Sequence, residues 1–213
     1  LLTFGEKESD DIRVITGEEN KFIIEGVEYK LGTKKFGKHI LLDMAAALGV
    51  VISEGFPVED ALEVLRNFKA LEGRGEEFDV ILSGVKKIHV TDEAYNANPL
   101  SMKVAITAFG EKYQDKHKVL VLGDMAECGE EVARYHNELA VPIDNIKPNK
   151  ILLCGKDIKS LYEILKDKYE VKFFEDTQEL LSSLENELED EDYVMFKSSH
   201  SGNLYKIIEN LKQ

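Results

Sequence analysis

Apolar and polar positions change rhythm twice along the chain. Between Arg13 and Leu31 they fall into three short alternating or β-branched runs, Arg13–Thr16, Phe22–Glu25 and Val27–Leu31, the period of strands with one buried face. Glu25-Gly26 between the last two predicts a hairpin turn. The spacing then lengthens to that of amphipathic helices, from about His39 to Val50 and from Val58 to Phe68, the second opening on Pro57. From Glu77 onward apolar runs and helical patterns alternate. Strands are expected at Phe78–Ser83, Lys87–Thr91, Lys118–Leu122, Lys150–Cys154, Glu170–Phe174 and Tyr193–Phe196. Helices are expected at Ser101–Tyr113, Glu131–Ala140, Ile158–Lys168, Thr177–Leu188 and Leu204–Leu211. The helix from Ser101 sets Met102, Ala105, Ile106, Phe109 and Tyr113 on one face, as a helix packed on a sheet does. This alternation predicts an α/β fold with an open, mostly parallel sheet and right-handed crossovers. Leu71–Glu76, with Gly73-Arg74-Gly75 at its centre, is the expected junction between residues 1–71 and 72–213. The acidic stretch Glu185–Asp192 reads as a solvated helix end.

Composition narrows the class. A chain of 213 residues with 43% hydrophobic content can bury a full core. A formal charge of −14 argues against nucleic acid or an anionic membrane as partner. There is no apolar run of about 18 residues, the length a membrane span needs, and no signal peptide. Cys128 and Cys154 are too few and too far apart for a zinc knuckle or a disulfide scaffold, and both read as packing residues.

The densest candidate chemistry is Asp92 to Met102, D-E-A-Y-N-A-N-P-L-S-M, between a β-branched strand and a helix. Loops at the carboxyl ends of strands in α/β sheets are where ligands bind. Carboxylates there suit Mg²⁺ or ribose hydroxyls, and amides suit phosphate or peptide groups. By composition alone Asp92 and Glu93 read more readily as plain polar loop residues. Arg74 reads either as a solvated junction residue or as a phosphate contact, for which a guanidinium of fixed charge is suited. His39 stands where a helix cap is common, and Asp124 and Glu127 could cap the helix that follows them. Lys197–Ser201 follow the last strand in the same way, while His89 and His117 read as ordinary strand and surface residues.

These stretches, taken in order, resemble the Mur ligases, in particular the members that add D-alanyl-D-alanine. The Asp92–Met102 run is similar to the pattern D-D-x-Y-N-A-N-P-x-S-M. Gly37-Lys38-His39 with Ala45-Ala46-Ala47 resembles G-x-H-N-x-x-N-x-x-A-A, and Gly73-Arg74 resembles the family's G-R. Val121–Gly129 resembles V-L-G-D-M-x-E-L-G, His136 follows at the expected place, and Lys197-Ser198-Ser199-His200 stands for K-G-S-R. The resemblance implies a Rossmann-like C-terminal domain at 72–213, preceded by the end of a central ATPase domain at 1–71, built of β-hairpins and two helices. It implies ATP with Mg²⁺ as cofactors. ATP would be met by His39, Asp43, Arg74, Asp92, Glu93, Tyr95, Asn96 and Asn98, and the incoming dipeptide by Asp124, Glu127, Lys197, Ser198, Ser199 and His200. No catalytic residue and no metal-ligand set is implied for this portion.

The implied reaction is ATP-dependent amide ligation of D-alanyl-D-alanine to UDP-N-acetylmuramoyl-tripeptide through an acyl phosphate, in a cytoplasmic monomer. The chain contains no G-x-x-G-K-[ST] loop for the ATP phosphates and begins at Leu1 without a Met, so it reads as the carboxyl-terminal piece of a larger ligase, inactive alone. Ile40 and Asp43 replace expected asparagines, Glu93 an aspartate, Ser198 a glycine and His200 an arginine. These departures leave open a degenerate, non-catalytic binding module. Another amide ligase of the superfamily, such as a folylpolyglutamate or cyanophycin synthetase, is a further alternative.

Overall fold

A computed structural model describes residues 1–32 and 36–213, which divide into two compact units, Leu1–Lys69 and Ala70–Gln213. In the first, β1 (Phe4–Gly5), β2 (Ile12–Ile15), β3 (Asn20–Ile24) and β4 (Val27–Gly32) form one sheet in that order. β1 runs parallel to β2 and the rest are antiparallel. Glu25 and Gly26 both take positive φ, as a two-residue hairpin turn matching the strand twist requires. Helices α1 (Lys38–Ser53) and α2 (Val58–Arg66) follow. Leu41, Met44, Ala45 and Leu48 of α1 and Leu62 of α2 close a core with Ile12, Val14, Phe22 and Ile24. The short β1 carries no alternation that sequence reading could detect.

The second unit is a six-stranded sheet between two helical layers. Its strands are β5 (Glu76–Leu82), β6 (Lys86–Glu93), β7 (Lys118–Gly123), β8 (Lys150–Cys154), β9 (Glu170–Phe174) and β10 (Asp192–Lys197), in the order β5-β6-β10-β7-β8-β9. All pairings are parallel except β5 with β6. The fold is therefore the expected α/β class with a mostly parallel sheet. The two-residue period of the strands decides which layer each side chain enters. Val119, Val121, Leu152, Val194 and Phe196 face one way, onto α7 (Thr177–Glu187) and α8 (Leu204–Leu211). Leu120, Leu122, Ile151, Leu153 and Met195 face the other, onto α3 (Pro99–Lys112), α5 (Ala140–Ile146) and α6 (Lys159–Leu165). Met102, Ala105, Ile106 and Phe109 of α3 lie in that second core, on the face their spacing predicts.

Three expectations are corrected. The helix expected to open at Ser101 begins at Pro99, because Asn98 caps it: the Asn98 side chain accepts from Ser101 N at 2.8 Å and Ser101 Oγ accepts from Asn98 N at 3.0 Å. The helix expected over Glu131–Ala140 is split into α4 (Val132–Asn137) and α5. Pro142 has no N–H to offer the Glu138 carbonyl and its ring would strike that oxygen in a continuous helix, so the chain breaks one turn before it. The acidic stretch is not uniformly solvated: Glu187 and Asp192 are buried. Glu187 accepts from Lys172 Nζ at 2.6 Å, its carbonyl accepts from Lys150 Nζ at 2.8 Å, and Asp192 meets His117 Nδ1 at 2.5 Å. Among the described residues no helix is long and apolar enough to cross a membrane.

Gly110 lies inside α3, where an added Cβ would overlap the Ile146 side chain of α5. A helical Gly→Ala change ordinarily stabilises by up to about 1 kcal/mol. Here overpacking should win, so Gly110→Ala is expected to destabilise the second unit by roughly 1–3 kcal/mol. A lowered urea midpoint at unchanged slope would report it.

Candidate functional site

Strands β6, β10 and β7 are parallel neighbours, so their carboxyl ends bring three loops side by side, with Lys197 in register with Glu93 on one side and Leu122 on the other. The first loop follows β6. Asp92 continues the inward parity of Ile88 and Val90 and is buried. Its carboxylate accepts from Gly73 N and Ala94 N, each at 3.0 Å. Burial pushes the Asp92 pKa up, opposed by those two amides. Glu93, of opposite parity, turns to Lys197, whose Nζ lies 3.3 Å from its carboxylate and donates to the Asn96 carbonyl at 3.1 Å. Only 3% of the Lys197 side chain is exposed. Burial pushes its pKa down, Glu93 opposes this, and nearby Arg74 adds to it.

Beyond the strand, Tyr95 points outward with 49% of its surface exposed, and the exposed Arg74 guanidinium stacks 4.3 Å from its ring centroid. The exposed His200 ring stands 6.2 Å from Tyr95 and lies parallel to Tyr205 at 4.4 Å. Arg74, Tyr95, His200 and Tyr205 thus form one cationic and aromatic ridge contributed by separate chain segments. Asn96 accepts from Ala97 N at 2.8 Å, which with the Asn98 cap sets the turn out of the strand.

The loops after β7 and β10 meet where the strand order reverses, the crevice at which open α/β sheets hold ligands. Ser199 donates to the Asp124 carbonyl through N at 2.9 Å and through Oγ at 2.8 Å. The Asp124 carboxylate accepts from Lys156 N, Asp157 N and Ile158 N at 2.8–3.1 Å, closing the start of the next strand's loop. Ser198 is fully buried and bonds the Ser199 carbonyl at 2.9 Å. Glu127 is exposed in a left-handed turn. His136 pins this loop, accepting from Met125 N at 3.0 Å through Nε2 with Nδ1 2.8 Å from the Val132 carbonyl, so the proton resides on Nδ1.

The structure therefore gathers Arg74, Asp92, Glu93, Tyr95, Asn96, Lys197 and His200 around one strand end, with Asp124, Ser198 and Ser199 in the adjoining crevice. His39 and Asp43 belong to the first unit, one turn apart on α1, with Asp43 exposed and Ile40 packed against that unit's core. Sequence reading did not single out Tyr205, the bond from Gly73 N to Asp92 or the role of His136. Each acts through a partner distant in the chain, which no local pattern announces.

A sequence profile of the Mur ligase glutamate ligase domain matches residues 73–200. The chain is 29% identical over 197 residues to the UDP-N-acetylmuramoyl-tripeptide–D-alanyl-D-alanine ligase of Bacillus subtilis, covering 91% of this chain and 42% of that protein. It therefore spans less than half the length of the curated relatives it matches. Its fold is similar to that of the MurF ligase of Thermotoga maritima solved in complex with ADP, with a TM-score of 0.79, 21% identity, and coverage of 99% of this chain and 48% of that one. MurF from Acinetobacter baumannii is similar to the same extent, with a TM-score of 0.81, 21% identity, and coverage of 99% and 46%. A profile match over more than half of the residues, falling on the loops that build the site, means that this chain belongs to the Mur ligase family.

Proposed function

We propose that the chain is part of an ATP-dependent amide ligase that adds D-alanyl-D-alanine to UDP-N-acetylmuramoyl-tripeptide in the cytoplasm, acting as a monomer. Residues 1–71 are the end of its central ATP-binding domain and 72–213 its C-terminal domain. The observation that carries this reading is the ridge of Arg74 on Tyr95 beside the buried Lys197–Glu93 pair at the carboxyl ends of β6 and β10. An exposed aromatic face with a fixed cation stacked on it suits a nucleoside polyphosphate.

Among the proposed nucleotide residues, Arg74 and Tyr95 offer groups at the surface, and Glu93 is mostly buried against Lys197. Asp92, Asn96 and Asn98 shape the loop that presents them, and His39 and Asp43 stand on α1. On the dipeptide side, His200 and Glu127 are exposed, Lys197 supplies a buried positive charge, and Asp124, Ser198 and Ser199 hold the crevice. ATP supplies the phosphoryl group that turns an unreactive carboxylate into an acyl donor. Mg²⁺ finds no cage of its own, since among the described residues no cluster of three His, Cys, Asp or Glu converges. It would arrive on the phosphates, as this ion commonly does.

The departures from the family pattern are compatible with an active ligase. Ser198 is buried inside the loop and Ile40 is half-buried against a core. Asp43, Glu93 and His200 remain as changes that tune binding.

In the complete protein, ADP release should require both ATP and the two peptide substrates. Arg74→Ala should lower kcat/KM by roughly 100-fold, the scale of losing one charge-stabilising donor. Turnover with glutamate in place of D-alanyl-D-alanine would refute the substrate assignment. The present chain, which contains no phosphate-binding loop, should release no ADP in response to D-alanyl-D-alanine. Lys197 gives a pH signature. Its folded pKa lies below the usual 10.5, so between the two values the unfolded chain holds more protons and stability rises with pH. The unfolding free energy of the wild type relative to Lys197→Met should therefore grow as the pH rises through the folded pKa toward 10.5 in paired urea titrations.

A further inference from the structure

Among the described residues no polar partner aims the Arg74 side chain: its guanidinium makes no ion pair and no hydrogen bond, and it rests only on the Tyr95 ring. A cation–π contact at an exposed site contributes about 0.5–1 kcal/mol, too little to hold a long flexible side chain unless its backbone is already set. The backbone is set on both sides. Gly73 N donates to Asp92 Oδ2 at 3.0 Å, Gly75 N to the Asp92 carbonyl at 2.8 Å, Arg74 N to the Leu71 carbonyl at 2.9 Å, and Tyr95 N to the Gly73 carbonyl at 3.2 Å. The other Asp92 oxygen takes Ala94 N at 3.0 Å.

One buried carboxylate thus clasps the turn that carries the arginine to the loop that carries the tyrosine. Gly73 is fitted to this clasp. Its φ is +69°, and a Cβ there would come 2.7 Å from Tyr95 Cβ. Only a group with two acceptor oxygens satisfies both amides. An asparagine would face one N–H with its own NH₂ and leave a buried donor unmet.

We propose that Asp92 is a positioning residue: it touches no ligand, and by clasping the Gly73–Gly75 turn to the Ala94–Tyr95 loop it aims Arg74 over Tyr95 and makes the arginine part of the second unit. The consequence for nucleotide binding rests on the reading of this site given above. The geometric part does not.

The test on this chain is the ring-current shift that the Tyr95 ring imposes on the Arg74 δ and ε protons, calibrated by Tyr95→Leu. Asp92→Asn should abolish most of that shift while the amide signals of Val119–Leu122 stay in place. An undiminished shift would overturn the proposal. If Asp92→Asn does not fold, Gly73→Ala strains the same clasp with Asp92 intact and should give the same loss, and its failure to do so counts equally against the idea.

In the complete protein, Asp92→Asn and Arg74→Ala should each weaken ATP binding, and the double variant should be no weaker than Arg74→Ala alone. Additive losses would mean that Asp92 acts on the nucleotide by another route. Absence of ATP binding by the unsubstituted complete protein would refute the ligase reading and leave the clasp to be judged by the shift.

Discussion

Strand β10 enters the sheet last, between β6 and β7, and the site exists because of that insertion. A strand flanked on both edges and covered on both faces has no route to water along its length, and Val194, Met195 and Phe196 are accordingly apolar and buried. Beyond Phe196 polarity returns at the carboxyl end, where Lys197 must find acceptors within the protein. Those within reach belong to the β6 loop, Glu93 and the Asn96 carbonyl. Satisfying one buried ammonium therefore fixes the loop that presents Tyr95. On the other edge the same strand end fixes the crevice, through the two bonds of Ser199 to the Asp124 carbonyl. The loops are shaped by the need to leave no buried polar group unpaired.

Much of this was legible in the residues. The runs at Lys118–Leu122, Lys150–Cys154 and Tyr193–Phe196 are too apolar for anything but central strands, and the structure places strands there. The polar loop at Asp92–Asn98 announced a site by its position after a strand. The direction of each acid was also available and was missed. Ile88, Val90 and Asp92 share a parity, so Asp92 had to point inward with them, while Glu93 points with His89 and Thr91. Pro142 likewise carried enough information to break the helix expected through Ala140. What could not be read is long-range pairing. Glu187 looks like any acid in a charged tail until Lys150 and Lys172, which precede it, fold against it. Tyr205 has no significance until His200 lies over it.

The two buried charges of the first loop divide the work between them. Asp92 and Lys197 cost desolvation, and neither is repaid as stability, since a buried ionic group with good partners is at best near neutral against an apolar residue of similar size. What they provide is position. Asp92 faces the helices α7 and α8 and holds the chain, whereas Lys197 raises the local positive potential next to Arg74 in a protein whose formal charge is −14. In such a chain an anion is repelled by most of the surface, so a pair of neighbouring cations on a low-dielectric wall concentrates whatever attraction there is into one place.

That reasoning bears on why the cation of the pair is buried and the other is not. An ammonium at the surface would be hydrated, free to follow any anion and screened by salt. Held inside with Glu93 at 3.3 Å, Lys197 cannot move toward a ligand, and its effect on one is a fixed field, partly cancelled by its partner. Arg74 is the reverse: exposed, unpaired by any carboxylate among the described residues, and constrained by its backbone and a ring. The guanidinium is the group able to make directed bonds to phosphate oxygens, and the lysine is the one able to set the potential in which those bonds form. Exchanging the two residues would preserve net charge and lose both properties, because a buried guanidinium carries five N–H donors that one carboxylate and one carbonyl would not all satisfy, and an ammonium has no planar face to lay on Tyr95.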